Sequence, residues 1–167
     1  MLQAVIFYLL AIAAVLSALA VVTRRNPVAA AVSLVVTFFF QAALYVLLDA
    51  HFVAVTQVLV YAGAIMVLFV FVIMLLNLRG DEAVALPHLG ARMLGGLAVA
   101  GMVGMGLVVS MDALRRIDMG PTPKDFGTIE QVGTLIFDGT YLLPFEVASV
   151  LLTVAMVGAV VLAKREI

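Results

Sequence analysis

The sequence predicts an all-α, polytopic membrane protein with five transmembrane helices, its N-terminus outside and its C-terminus cytoplasmic. Three observations lead there. Of 167 residues, 66% are hydrophobic and only 11% charged, and the charges fall in a few clusters. Between those clusters lie five apolar runs of ~20 residues, each long enough to cross the ~30 Å hydrocarbon core as a helix. The alternation and turn signals of a β-barrel are missing, so the spans must be helices that satisfy their own backbone groups. Residues 1–167 read as a single membrane domain, with spans at about 4–22, 27–48, 53–78, 91–111 and 143–163.

Composition also excludes chemistry. With no cysteine, the chain cannot supply thiolate-bound zinc, iron–sulfur clusters or disulfides. The two histidines, His51 and His88, stand alone on different loops. No Walker-type or dinucleotide-binding glycine loop occurs, and no basic tract that would hold nucleic acid. Catalytic, metal and cofactor-binding residues are expected to be absent from this chain.

The first run, about Ala4 to Val22, could be a secretory signal, because Ala18-Leu19-Ala20 resembles a cleavage site. No Lys or Arg precedes it, whereas Arg24 and Arg25 follow, so a retained span is expected. Asn26-Pro27 opens the second helix: Asn caps, and Pro suits a position whose N–H has no partner. Ala29, Ser33, Thr37 and Gln41 then fall four apart, a spacing that lets helices approach and hydrogen-bond across the contact. The short connection Asp49 to Phe52 makes helices two and three an antiparallel hairpin, with His51 as a solvated loop residue.

Val53 to Leu76 contains no charge, yet Tyr61 is followed at once by Ala62, Gly63 and Ala64. A hydroxyl and a weak point in the helix therefore share one membrane depth. Asn77-Leu78-Arg79-Gly80 forms a C-terminal stop, and a short polar loop with Pro87 and His88 follows. The fourth helix carries Gly96, Ala100 and Gly104 four apart, with Gly95, Gly101 and Gly106 beside them. At ~1 kcal/mol of helix propensity per glycine, so many suggest a closely pressed partner helix, with flexibility as the alternative. The long external loop, 112–142, holds a capping box at Thr128-Ile129-Glu130-Gln131 and a short amphipathic surface helix, Thr128 to Phe137. The last span starts near Pro144 and carries Ala155, Ala159 and Ala163 as a small-residue stripe. Orientation follows from the cations. Arg24, Arg25, Arg79, Arg92, Lys164 and Arg165 lie on one side and Arg115, Arg116 and Lys124 on the other, which makes the first side cytoplasmic.

Only one carboxylate, Glu146, falls plausibly within a span, near its outer end. It is either a simple interfacial residue or a protonatable group facing a neighbouring subunit. A proton pump needs ionisable groups across the whole membrane, so this chain alone cannot form a proton path. It is structural, or it completes a path made with partners.

Tyr61 to Asn77, YAGAIMVLFVFVIMLLN, closely resembles the third-helix signature of the J subunit of bacterial respiratory complex I, equivalent to mitochondrial chain 6 of NADH:quinone oxidoreductase. Val132 to Glu166 and the RNPVAA element, Arg25 to Ala30, resemble the same family; Met93 to Phe126 carries no matching motif. The resemblance implies a subunit of the membrane arm in the bacterial cytoplasmic (inner) membrane. FMN, iron–sulfur clusters and quinone would be held by partner subunits, and the K-type, A-type, H-type and N-type subunits would be its neighbours. It also implies a π-bulge around Tyr61, with Ala62, Gly63 and Ala64, whose rewinding opens and closes a water connection to acids of the K-type subunit. Two other readings stand beside it: a purely structural or assembly subunit, and the equivalent subunit of a related membrane-bound hydrogenase or antiporter complex.

Overall fold

The computed structural model describes residues 2–76, 89–116, 126–139 and 141–164. The expected stop at Asn77 to Gly80, the loop with Pro87 and His88, residues 117–125 of the long loop, and Arg165-Glu166 lie outside these residues. The described residues are helical with no strand, and five helices are long and apolar enough to span a membrane. The chain forms two compact units, Met1–Asn77 with Lys124–Ile167, and Leu78–Pro123.

In the first unit, α1 (Leu2–Thr23) and α2 (Pro27–Leu47) pack along one another. The Asn26 side chain accepts hydrogen bonds from the Val28 and Ala29 amides at 3.0 and 3.3 Å, so the expected cap is in place. The polar stripe of α2 also behaves as expected. Thr37 and Ser17 are joined through their hydroxyls at 2.9 Å across the α1–α2 contact, while Ser33 bonds back to the Ala29 carbonyl. Thr37→Val keeps the shape and removes the hydroxyl. It is expected to loosen this contact by about 0.6 kcal/mol, the average for such a bond between membrane helices, read as a small fall in the thermal midpoint of the solubilised protein.

α2 ends in a Schellman turn. The Asp49 amide bonds to the Val46 carbonyl and the Ala50 amide to the Tyr45 carbonyl, with Asp49 left-handed at φ 56. The chain reverses there, and the third span begins at His51, which is exposed on the first turn of a helix and not on the loop where the sequence placed it. This span has three parts: α3 (His51–Thr56), a π-helical segment (Gln57–Ile65) and α4 (Met66–Leu75). α2 is the middle helix, touching both α1 and every part of the third span, whereas α1 and the third span do not touch. The buried residues are Ala31 and Ala42 of α2 and Ala54, Gln57, Ala62 and Met66 of the third span. Small side chains bring the two backbones together, which is how membrane helices gain contact without a hydrophobic driving force.

Helix α6 (Ile129–Phe137) touches α3, and Phe137 meets Phe145 of α7 (Leu142–Ala163) edge-on at 5.3 Å. Its capping box is modified. Thr128 accepts from the Gln131 amide at 3.3 Å, but the Gln131 side chain reaches the amide of Gly127, one residue before the cap, at 3.0 Å. Val132 and Ile136 are half-buried, while Ile129, expected on the same face, is exposed. α7 starts two residues before Pro144, which is allowed because amides of a first turn have no acceptor within the helix. Among the described residues α7 touches only α6, and its alanine stripe is exposed.

The second unit is one helix, α5 (Leu89–Arg116), 28 residues long. It outruns the expected 91–111 because helical winding continues beyond the membrane-spanning window, Met93–Met111. The glycine stripe lies within that window, where every side chain is exposed.

Candidate functional site

In the third span, the expected bulge at Tyr61 extends over nine residues, from Gln57 to Ile65. At its end the Met66 amide donates to the Tyr61 carbonyl, five residues back, as well as to the Gly63 carbonyl. At its start the Gln57 amide still bonds to Ala54 and Val53, as at an ordinary helix end. The winding therefore changes inside the membrane, between two regular helices.

Burial shows the consequence. Along the face toward α2 the buried positions step from Ala54 to Gln57, then to Ala62, then to Met66. α-Helical steps on one face are three or four residues; the step of five from Gln57 to Ala62 needs the wider π turn. Uninterrupted α winding would put Tyr61 on that face instead. As the span stands, Ala62 is 6% exposed and Tyr61 is 47% exposed. The Tyr61 ring leans edge-on against Phe38 of α2 at 5.9 Å, and among the described residues its hydroxyl has no hydrogen-bond partner. Ala64 is exposed and Gly63 half-buried. A Cβ on Gly63 would lie 3.3 Å from the Val58 carbonyl oxygen, again five residues back.

One polar group in this region was not singled out from the sequence. Gln57 is 7% exposed, the only buried polar residue among those described. Its Nε2 donates to Gln41 Oε1 at 3.4 Å, and Gln41 Nε2 donates to the Tyr45 hydroxyl at 3.1 Å. The signal was available: Gln41 and Gln57 lie equally far in sequence from Asp49, so a tight hairpin sets them opposite one another.

Glu146 is exposed on the first turns of α7, away from this site, and its backbone carbonyl accepts from the Ser149 hydroxyl. Among the described residues no group of three or more His, Cys, Asp or Glu comes together. An open crevice of about 450 Å³ between α2 and the third span is lined by apolar side chains, among them Phe39, Val46, Val58 and Leu59, and offers no ligand donor.

Residues 17–162 match the family model for NADH-ubiquinone/plastoquinone oxidoreductase chain 6. The chain belongs to that family. It is 38% identical to NADH-quinone oxidoreductase subunit J of Rhodobacter capsulatus, over 95% of this chain and 80% of the relative. It is 40% identical to NAD(P)H-quinone oxidoreductase subunit 6 of the Paulinella chromatophora chromatophore, over 99% and 80%. F(420)H(2) dehydrogenase subunit J of Methanosarcina mazei is 37% identical, over 99% and 93%. This chain 6 protein is thus a multi-pass membrane subunit of a quinone oxidoreductase, and the resemblance read from its third span holds across nearly its whole length.

Proposed function

We propose that the chain is a non-catalytic membrane-arm subunit of a proton-translocating NADH:quinone oxidoreductase of the bacterial cytoplasmic membrane, and that its third span couples quinone reduction to proton pumping. The π segment carries this reading. Among the described residues it is the one segment with winding other than α, and a regular α form would differ from it by one residue per turn. Rewinding to α would turn everything downstream by about 100° for the one residue displaced. Tyr61 would replace Ala62 on the face toward α2, carrying its phenol from beside Phe38 into the contact one turn beyond the Gln41–Gln57 pair. A hydroxyl placed there gives water a foothold; withdrawn, it leaves the contact dry. Such a two-form element is what coupling between distant sites requires. The path it gates runs from the quinone region toward acids of a K-type neighbour, with A-type, H-type and N-type subunits completing the surroundings. NADH is taken as donor from the bacterial relative; the genes adjoining this one decide between NADH, F420H2, hydrogenase and antiporter modules.

The test is structural. The intact complex is imaged at rest and during turnover. Two populations are expected, with Ala62 against α2 in one and Tyr61 in the other. A single π-wound form under both conditions would remove the switch and leave an assembly role.

Assembly has support of its own in the exposed stripes of α5 and α7. Glu146 fits there as a polar contact to a neighbouring subunit. Glu146→Leu is expected to lower the yield of intact complex on a native gel about tenfold, because its partner would be left partly desolvated and unpaired. An unchanged yield would make it a carboxylate in interfacial water.

A further inference from the structure

The third span is tied unevenly. Its directional bonds to the rest of the chain lie at the upstream end: the Phe52 amide donates to the Gly127 carbonyl at 3.2 Å, and Gln57 donates to Gln41. Downstream, Met66–Leu75 carries no polar side chain, so among the described residues it is held by van der Waals packing, with no directional bond to fix its rotation about the helix axis. Gln57 stands at the boundary, as the first residue of the π segment. It is buried, and its amide donates to a partner amide that is itself bonded onward to Tyr45.

We propose that Gln41 and Gln57 form a positioning pair that fixes the upstream register of the third span, so that a change of winding turns the downstream half and not the upstream one. The proposal rests on the switching role put forward above and assigns it a fixed end. Neither glutamine reacts. Tyr45 orients Gln41, leaving its oxygen free to accept, and Gln57 supplies the proton. Leucine at either place removes the bond while keeping an apolar volume suited to the membrane. Rewinding can then dissipate upstream, because the first turns of the span rotate in compensation.

The test uses the whole complex in its native membrane. Gln41→Leu and Gln57→Leu are each expected to lower coupled quinone reduction about threefold to tenfold, the range for losing one intramembrane hydrogen bond. Because both remove the same bond, the double variant should be no worse than the more impaired single one. Normal amounts of complex on native gels, and normal donor oxidation by a water-soluble acceptor, are expected throughout. The deciding variant is Gln41→Cys with Gln57→Cys. The chain has no other cysteine, so a short bifunctional thiol reagent bridges only this pair within it; the two single-cysteine variants and the unaltered complex, treated alike, correct for thiols of other subunits. A fixed end should tolerate a covalent bridge, so bridging is expected to restore turnover toward that of the unaltered complex. No recovery on bridging, or multiplicative losses in the double leucine variant, overturns the positioning pair. Loss of the complex from the gel in the leucine variants also overturns it, in favour of a packing role. Failure of the switch itself is seen separately: unimpaired turnover in Gly63→Val removes the basis of the proposal whatever the bridge does.

Discussion

Gly63→Val is expected to reduce coupled quinone reduction and proton pumping about tenfold or more, with the complex still assembled. A Cβ at this position would stand 3.3 Å from the Val58 carbonyl oxygen, tight enough to push the turn open by a few tenths of an ångström. The crowded atom is the carbonyl five residues back, so the crowding belongs to π winding; α winding accommodates a Cβ at every position. Replacing glycine also favours any helical form by ~0.5–1 kcal/mol, but that gain is shared by both windings and does not choose between them. The remaining penalty falls on one form, and valine's branches enlarge it. A bias of ~1.4 kcal/mol is already a factor of ten in a two-form equilibrium. Gly63→Ala should show the same direction with a smaller loss. Turnover assayed beside native gels separates the outcomes: assembled but slow supports a switch, absent complex supports a structural role, and normal turnover with normal pumping ends the switch reading.

Much of the fold was legible because membrane burial writes long signals. Five long apolar runs gave the spans, Asn26-Pro27 gave the start of α2, and Thr128 with Gln131 located α6. The errors are at places where residue type does not determine the local answer. His51 begins a helix because the left-handed turn at Asp49 is complete by Ala50, two residues before the expected end of the connection at Phe52. Helix α5 runs on because helical winding does not stop where the hydrocarbon does.

The site was legible only in part. Tyr61 to Ala64 stood out as a hydroxyl beside small residues, and the family resemblance supplied a bulge. The length of the π segment was not readable, since no residue type prefers π winding; it shows in the Met66 bond to the Tyr61 carbonyl and in the step from Gln57 to Ala62 along the buried face. Gln57 does not stand out in the sequence, because a neutral amide carries no charge to mark it within an apolar run. In a membrane a neutral amide is also a costly group unless paired, and its mirror position to Gln41 across the hairpin was the clue to its pairing.

Gly127→Val is expected to give the largest loss of stability of any single change in the described residues. Gly127 has φ +72, a left-handed conformation that costs other residues ~1–2 kcal/mol. A Cβ there would run into the Asp49 carbonyl oxygen and stand 3.0 Å from the Ala50 Cα. Both are backbone atoms of the turn before the third span, and Asp49 is itself held left-handed, so neither can swing aside as a side chain would. Relief would separate α6 from the turn and break the bond from the Phe52 amide to the Gly127 carbonyl. That amide belongs to the first turn of α3, where no acceptor exists within the helix. Together these costs should exceed ~3 kcal/mol, within the range reserved for clashes and strained backbone. Gly139 is the control: it has φ +92 but nothing within 4 Å of its Cβ position. Gly139→Val should therefore show the conformational cost alone. Thermal midpoints of the two variants, measured on the solubilised complex, isolate by their difference the docking of the segment that opens α6 onto the start of the third span. Equal midpoints would mean that this docking contributes nothing. A much lower midpoint for Gly127→Val, with turnover lost before the complex dissociates, would show that the upstream end of the span must be held by the segment before α6 as well as by α2.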